Sequence, residues 1–183
     1  MKDILFIRHA EGIANAEGIL MGSSKVVDKG LSEKGEQMAI SRAKKIQHDG
    51  FNPEKVFCSE LPRALQTARI IIATLSMQIE PIVVPELNER SFGLYEGKPY
   101  QDVIDAFNTE GVNPQTIETV NEFINRVLEG FQQVRKETKK SSLVVTHSNP
   151  LAVIRSHLYY PDDIDRFWEH ETDNYVNGFM LNL

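Results

Sequence analysis

Cysteine is nearly absent. Cys58 stands alone in 183 residues, so no intrachain disulfide can form, and a reducing, cytoplasmic compartment is the expected location. No stretch approaches the roughly 20 apolar residues of a membrane helix. The opening Lys2-Asp3-Ile4-Leu5-Phe6-Ile7-Arg8 lacks the long apolar segment of a signal peptide. Positive charge is in the minority: 20 lysines and arginines face 26 acidic residues, for a net charge of −6. That balance disfavours nucleic acid and anionic membranes as partners, yet leaves room for a local basic pocket that holds an anion. The chain shows no internal repeat, low-complexity tract or interdomain linker, no Walker-type glycine loop, and no dense Asp/Glu or Cys/His cluster of the kind that holds a metal. With 41% hydrophobic and 25% charged residues the composition is that of an ordinary globular chain. One domain over residues 1–183 is expected, with no cofactor and no metal.

Apolar runs and turn signals alternate along the chain. Ile4 to Ile7 are four consecutive apolar residues, too few for a helix, and predict a buried strand that ends in Arg8-His9. Residues 12–31 carry Gly12, Gly18, Gly22 and Gly30 and predict a loop with one helical turn. Ser32 is a good N-cap for an amphipathic helix to about His48. Lys55 to Cys58 predicts a strand. Pro62 suits the first turn of a helix to about Leu75, with Leu65, Ala68, Ile72 and Leu75 facing inward. Ile82 to Val84 predicts a third strand, followed by an irregular loop through Gly93 and Gly97 and a short helix from Tyr100 to Phe107. From Ile117 to about Lys139 the residues Val120, Phe123, Ile124, Val127, Leu128, Phe131 and Val134 recur at three and four, the clearest long helix. Leu143 to Thr146 predicts a strand ending in His147, and Asn149-Pro150 opens a helix through about His157. The acidic run from Pro161 to Asp165 reads as a loop into a helix N-terminus, and Tyr175 to Leu183 as a closing strand. Strands alternating with helices predict an α/β fold, a three-layer α/β/α sandwich with a mostly parallel central sheet.

In a parallel sheet the strand ends share one edge, where ligands bind. This topology delivers Arg8, His9, Arg63, Glu89 and His147 to that edge. Two arginines, two histidines and a carboxylate suit a phosphate monoester. Guanidinium matches the phosphate oxygens with forked donors, and fixed cations stabilise the transferring phosphoryl group without a metal. A neutral imidazole can attack phosphorus, and a carboxylic acid can protonate the leaving oxygen and then activate water. His48, His157 and His170 lack such a context and read as structural. Cys58 reads as a small buried hydrophobe, and Phe167 and Trp168 as packing residues. Lys25, Lys98 and Tyr95 are candidates for the mouth of the site, although the lysines read more readily as solvated loop residues.

Taken together the motifs resemble the histidine phosphatase superfamily, which includes the cofactor-dependent phosphoglycerate mutases. Arg8-His9-Ala10-Glu11 with Asn15 resembles its Arg-His-Gly-Glu opening, and Asp28-Lys29-Gly30-Leu31-Ser32-Glu33-Lys34-Gly35 the segment before its first long helix. Ser59-Glu60-Leu61-Pro62-Arg63-Ala64-Leu65-Gln66-Thr67-Ala68 resembles its second motif. Leu87-Asn88-Glu89-Arg90-Ser91-Phe92-Gly93-Leu94-Tyr95-Glu96-Gly97 is similar to its acid-bearing loop, and Val144-Val145-Thr146-His147-Ser148 to its second-histidine strand end. The sequence departs from the pattern at Ala10, at Gly12 and at Ser148-Asn149. The resemblance implies that His9 is the phosphorylated nucleophile and Glu89 the acid and base. It implies that Arg8, Arg63 and His147 bind the phosphoryl oxygens, assisted by Asn15, Gly22 and the backbone N–H of Ser148.

The implied activity is a metal-independent phosphomonoesterase that passes through phosphohistidine and acts on a small phosphorylated metabolite. The alternatives are a cofactor-dependent phosphoglycerate mutase, a phosphohistidine-protein phosphatase and, last, a non-catalytic phospholigand-binding module. Residues 101–119 contain no lysine or arginine, whereas the family's mutases carry extra basic residues in an insertion after the glutamate loop; this favours hydrolysis. The expected partner is a small phosphorylated substrate, with no nucleic acid and no membrane; nothing in the sequence sets an oligomeric state.

Overall fold

The structure, a computed structural model, describes residues 2–109, 116–170 and 179–183. Its centre is a five-stranded sheet of β1 (Asp3–Arg8), β2 (Lys55–Cys58), β3 (Ile82–Val83), β4 (Ser141–Thr146) and β5 (Phe179–Asn182), in the order β3-β2-β4-β1-β5. β1, β2, β3 and β4 run parallel, and β5 pairs antiparallel with β1. Around it lie α1 (Ile13–Ala16), α2 (Glu33–His48), α3 (Pro62–Thr74), α4 (Tyr100–Thr109), α5 (Val120–Glu137) and α6 (Ser148–Tyr159).

The period of two in the strands sets the layers. In β1, Ile4 and Phe6 join Phe57, Val144, α5 and α6 in one apolar cluster, while Leu5 and Ile7 join Val56, Val145, α2 and α3 in the other. Both faces of the sheet are therefore covered, the three-layer α/β architecture predicted from the sequence. The stripe of α5 holds as predicted: Phe123, Val127, Phe131 and Val134 are buried. Each such side chain removed from water contributes about 1.5–3 kcal/mol.

Several boundaries and faces differ from the prediction. The long helix starts at Val120 because Thr119 caps it, its hydroxyl accepting from Glu122 N–H while Glu122 reaches back to Thr119 N–H. The inner face of α3 is Ala64, Thr67, Ala68, Ile71 and Ile72, together with Arg63; Leu65 and Leu75 are only half-buried. The face is rotated because Arg63 and Thr67 point at the strand ends, a polar demand that an apolar period does not register. Phe167 is buried, but Trp168 is 46% exposed and only meets Phe167 edge-on, with ring centroids 5.1 Å apart. The acidic run opens a 3₁₀ segment over Pro161–His170. Residues 175–178 of the predicted closing strand and the His170 side chain lie outside the described residues. No helix among the described residues is long and apolar enough to cross a membrane.

The parallel ladder continues past the strand ends and aligns the segments that follow. His9 N–H donates to Thr146 C=O (2.8 Å), Ser59 N–H to Val145 C=O (3.1 Å) and Val84 N–H to Cys58 C=O (2.8 Å). Thr146 Oγ1 donates to Leu87 C=O at 2.7 Å, joining the end of β4 to the loop that carries Glu89. α2 comes close to the His9 turn because position 35 is glycine: a Cβ there would lie 2.0 Å from the carbonyl oxygen of Glu11.

Candidate active site

His9 follows β1 directly and is 5% exposed. Its Nδ1 lies 2.6 Å from Ala10 C=O, which can only accept, so Nδ1 carries the ring proton and Nε2 the lone pair. Burial, with the Arg63, Arg8 and Arg42 guanidiniums beside it, holds the His9 pKa well below the usual imidazole value. The ring is neutral at pH 7, and its unprotonated Nε2 has the lone pair that a nucleophile needs.

Arg63 is held in three directions. Its Nε–H donates to His9 Nε2 at 3.1 Å, Nη1 to Asp28 Oδ2 at 2.7 Å and Nη2 to Gly22 C=O at 2.9 Å. The Asp28–Arg63 pair is buried on both sides, with 0% and 2% of the side chains exposed. Asp28 also accepts from the backbone N–H of Gly30 (2.9 Å) and of Arg63 (3.3 Å), so its lone pairs are satisfied. Gly22 takes a positive φ of +51°, and a Cβ there would meet Glu96 Oε1 at 2.1 Å. Glu96 in turn accepts from Ser23 N–H and Phe92 N–H, tying the two loops that flank the site. Gly22 therefore serves mainly through its carbonyl, which aims Arg63.

Arg8 has no hydrogen bond or ion pair from its guanidinium among the described residues; its backbone carbonyl accepts from Arg42. A half-buried cation with its donors unused, beside His9, is suited to an oxyanion. Asn15 follows in α1 and accepts from Gly12 N–H through Oδ1 (3.0 Å), which leaves its amide N–H₂ as donor. Ser148 is the first residue of α6, with one of the unpaired N–H groups of the helix N-terminus.

His147 is fully buried, and its ring centroid lies 4.9 Å from that of His9. Its Nε2 is 2.6 Å from Ser59 Oγ, which already accepts from Leu61 N–H. The Ser59 hydroxyl can donate to Nε2 or accept from it. Nδ1 is buried with no partner among the described residues, a polar atom left for a ligand. Burial first, then the charges of Arg63, Arg8 and Arg126, keeps this ring neutral too.

Glu89 is 9% exposed, and its Oε1 accepts from Arg90 N–H at 2.9 Å. Its loop is clamped from α5 by Arg126, which donates to the carbonyls of Glu86 (2.8 Å), Asn88 (2.9 Å) and Glu89 (3.3 Å) while forking onto the Glu118 carboxylate at 2.7 and 2.8 Å.

One cavity of about 530 Å³ brings together Arg8, His9, Asn15, Gly22, Arg63, Glu89 and Ser148. His147 is the predicted site residue that does not reach its wall; it stands behind His9. Lys25 is paired with Glu60 at 2.7 Å, and Lys98 and Tyr95 line a different hollow, so none of the three forms the mouth. Phe92 and Tyr100 do so instead. Burial pushes the Cys58 thiol up to about 12 and leaves it inert. Asp28, Ser59 and Arg126 were not singled out from the sequence. Asp28 and Ser59 lie inside quoted motifs, but Arg126 sits within an apolar stripe and carries no local signal.

The two buried neutral imidazoles make stability depend on pH. Their native pKa values lie below that of the unfolded chain, so the unfolded state binds more protons as pH falls from about 6.5 toward the native values. Stability is complete above that window and is lost within it, by of order 1 kcal/mol per pH unit for each imidazole. Urea unfolding at pH 7.0 and 5.0 is expected to show the midpoint falling, a range above the one in which carboxylates protonate. An unchanged midpoint would mean that these rings are not buried and neutral.

Residues 4–176 match the histidine phosphatase superfamily (branch 1), and the chain belongs to that family. The 2,3-bisphosphoglycerate-dependent phosphoglycerate mutase of Tropheryma whipplei (strain Twist) is 28% identical over 198 residues, covering 90% of this chain and 86% of the relative. The structure of the alpha-ribazole phosphatase from Shigella flexneri superposes with a TM-score of 0.76 at 25% identity, over 94% of this chain and 87% of that one. Bacillus stearothermophilus YhfR shares the fold, with a TM-score of 0.81 at 22% identity over 100% of this chain and 92% of that one.

Proposed function

We propose that the protein is a phosphomonoesterase that works through a phosphohistidine at His9. The observation that carries this reading is the His9–Arg63 pair: a neutral imidazole whose Nε2 lone pair faces a guanidinium locked in place by Asp28 and Gly22. A phosphate monoester entering the cavity takes the Arg63 and Arg8 donors on its oxygens. His9 Nε2 attacks phosphorus as the ester P–O bond breaks, and Glu89, as general acid, passes a proton to the leaving oxygen. The Glu89 carboxylate then takes a proton from water, whose oxygen attacks phosphorus. The N–P bond breaks, and inorganic phosphate leaves. His147 Nδ1, when protonated, donates to a phosphoryl oxygen once that oxygen comes within reach.

A mutase reading is favoured by the Tropheryma whipplei relative, whose name describes a mutase. Two features of this chain support hydrolysis instead. Residues 101–119 contain no lysine or arginine, and Arg90, next to Glu89, gives Nε–H and Nη2–H to Glu118 C=O at 3.0 and 2.9 Å. The test is hydrolysis of p-nitrophenyl phosphate in excess EDTA, with and without 3-phosphoglycerate as acceptor. Phosphate released to water is the expected product; 2,3-bisphosphoglycerate or 2-phosphoglycerate formed from the acceptor in its place would make the protein a mutase. Glu89→Gln is expected to slow turnover by roughly 10²- to 10⁴-fold, the usual worth of a general acid and base, while inorganic phosphate still binds. Turnover within a few-fold of wild type would remove Glu89 from the reaction.

A further inference from the structure

The phosphomonoesterase reading leaves the organic half of the substrate unassigned, and the cavity wall bears on it. We propose that the substrate is a monophosphate ester whose leaving group is uncharged and presents an apolar, aromatic face; this rests on the phosphomonoesterase reading. Only Arg8 and Arg63 bring positive charge to the wall among the described residues. Arg63 is bonded to the nucleophile at 3.1 Å, and Arg8 adjoins it in the chain, so both serve the phosphoryl end. Beyond that end the wall is mainly Ile19, Leu20, Met21, Phe92 and Tyr100, with Gly18 and the uncharged Asn149. Tyr100 is 56% exposed, a large ring held at the mouth with much of its surface still open to a ligand.

The nearby cations are committed elsewhere. Lys25 pairs with Glu60, Lys98 lies over the Tyr95 ring at 5.4 Å, and Arg126 forks onto Glu118. Arg90 gives its hydrogen bonds to a backbone carbonyl and lies 5.9 Å from the Phe92 ring centre. Residues 110–115 and 171–178 contain no lysine or arginine, so neither segment can bring a further cation. A carboxylate or second phosphate on the leaving group would enter this half of the cavity without a counterion, near the Glu89 carboxyl, and would lose hydration that nothing there replaces. A neutral aromatic group would lose little hydration and gain contact with Phe92 and Tyr100.

Binding isolates this selectivity from turnover. Calorimetry on His9→Ala, or on His9→Asn should the alanine variant not fold, compares 1-naphthyl phosphate, 4-carboxyphenyl phosphate, 3-phosphoglycerate and inorganic phosphate. The naphthyl ester is expected to bind about tenfold or more tighter than each of the others, the equivalent of one or two good aromatic contacts. Adding Tyr100→Ala or Phe92→Ala is expected to erase most of that advantage, with inorganic phosphate binding unchanged within about twofold. Equal or tighter binding of either carboxylate ester, or naphthyl phosphate no tighter than phosphate itself, overturns the proposal. Phosphate release from the naphthyl ester by the wild-type protein is measured separately. Selective binding without release would end the phosphomonoesterase reading and leave the selectivity standing.

Discussion

His9→Ala abolishes turnover: the expected loss in kcat is roughly 10⁴- to 10⁶-fold, the range seen when the nucleophile of a covalent mechanism is removed. The geometry makes the loss this large. His9 Nε2 is the lone pair that faces Arg63, and the partner on Nδ1 is a carbonyl that can only accept. The neighbouring His147 does not substitute, because it does not line the cavity and its Nε2 is bonded to Ser59. The cations and the helix N-terminus remain, so phosphate still binds. The measurement is p-nitrophenyl phosphate hydrolysis in EDTA beside wild type, with acid-quenched protein examined for phosphate on histidine. Residual activity within about tenfold of wild type would show that phosphorus is attacked by another group.

Arg63→Ala is the second large effect, and it acts on both rate and stability. Losing one fixed donor to the phosphoryl oxygens costs about 10²- to 10³-fold in kcat. The same change strands Asp28, whose side chain is 0% exposed and keeps only the backbone N–H donors of Gly30 and residue 63. Removing one partner of a buried pair costs about 3–5 kcal/mol, so the urea midpoint is expected to fall with the rate. Arg63→Lys is expected to rescue little, since one ammonium cannot reach His9, Asp28 and Gly22 in the directions that the guanidinium serves. Adding Asp28→Asn to Arg63→Ala separates the two effects: it relieves the stranded buried charge while leaving a hydrogen-bonding side chain. Full stability in Arg63→Ala would mean that the pair is open to water, contrary to its burial.

Much of the architecture was legible because it is written in local periods. The run from Ile4 to Ile7, the stripe from Val120 to Val134 and the Ser32 cap each depend on residues within a few positions of one another. The site residues were legible for a related reason. Arg8, His9, Arg63 and His147 each follow an apolar run or a Pro-started helix, and a parallel sheet sends such ends to one edge. Leu65 and Leu75 pack against the apolar cluster as expected but stay half-buried, because the innermost face of α3 turns toward Arg63 and Thr67. Thr67 Oγ1 accepts from Ala10 N–H at 3.0 Å, a contact across 57 positions of chain that no window contains.

By itself, then, the sequence determined the α/β class, the parallel core and the family, and it nominated the residues that the fold gathers at one edge, since each follows from short-range pattern or residue type. The tertiary structure alone decided how those residues are held. That Asp28 anchors Arg63, that Gly22 contributes a carbonyl more than a surface, and that Ser59 bonds to Nε2 of His147 are long-range pairings. So is the clamp that Arg126 places on the Glu89 loop from a helix whose pattern showed only its apolar face. The mouth belongs to Phe92 and Tyr100 instead of Lys25 and Lys98 for the same reason. A lysine's place depends on which carboxylate or ring the fold puts beside it, and that is settled only when segments distant in sequence are packed together.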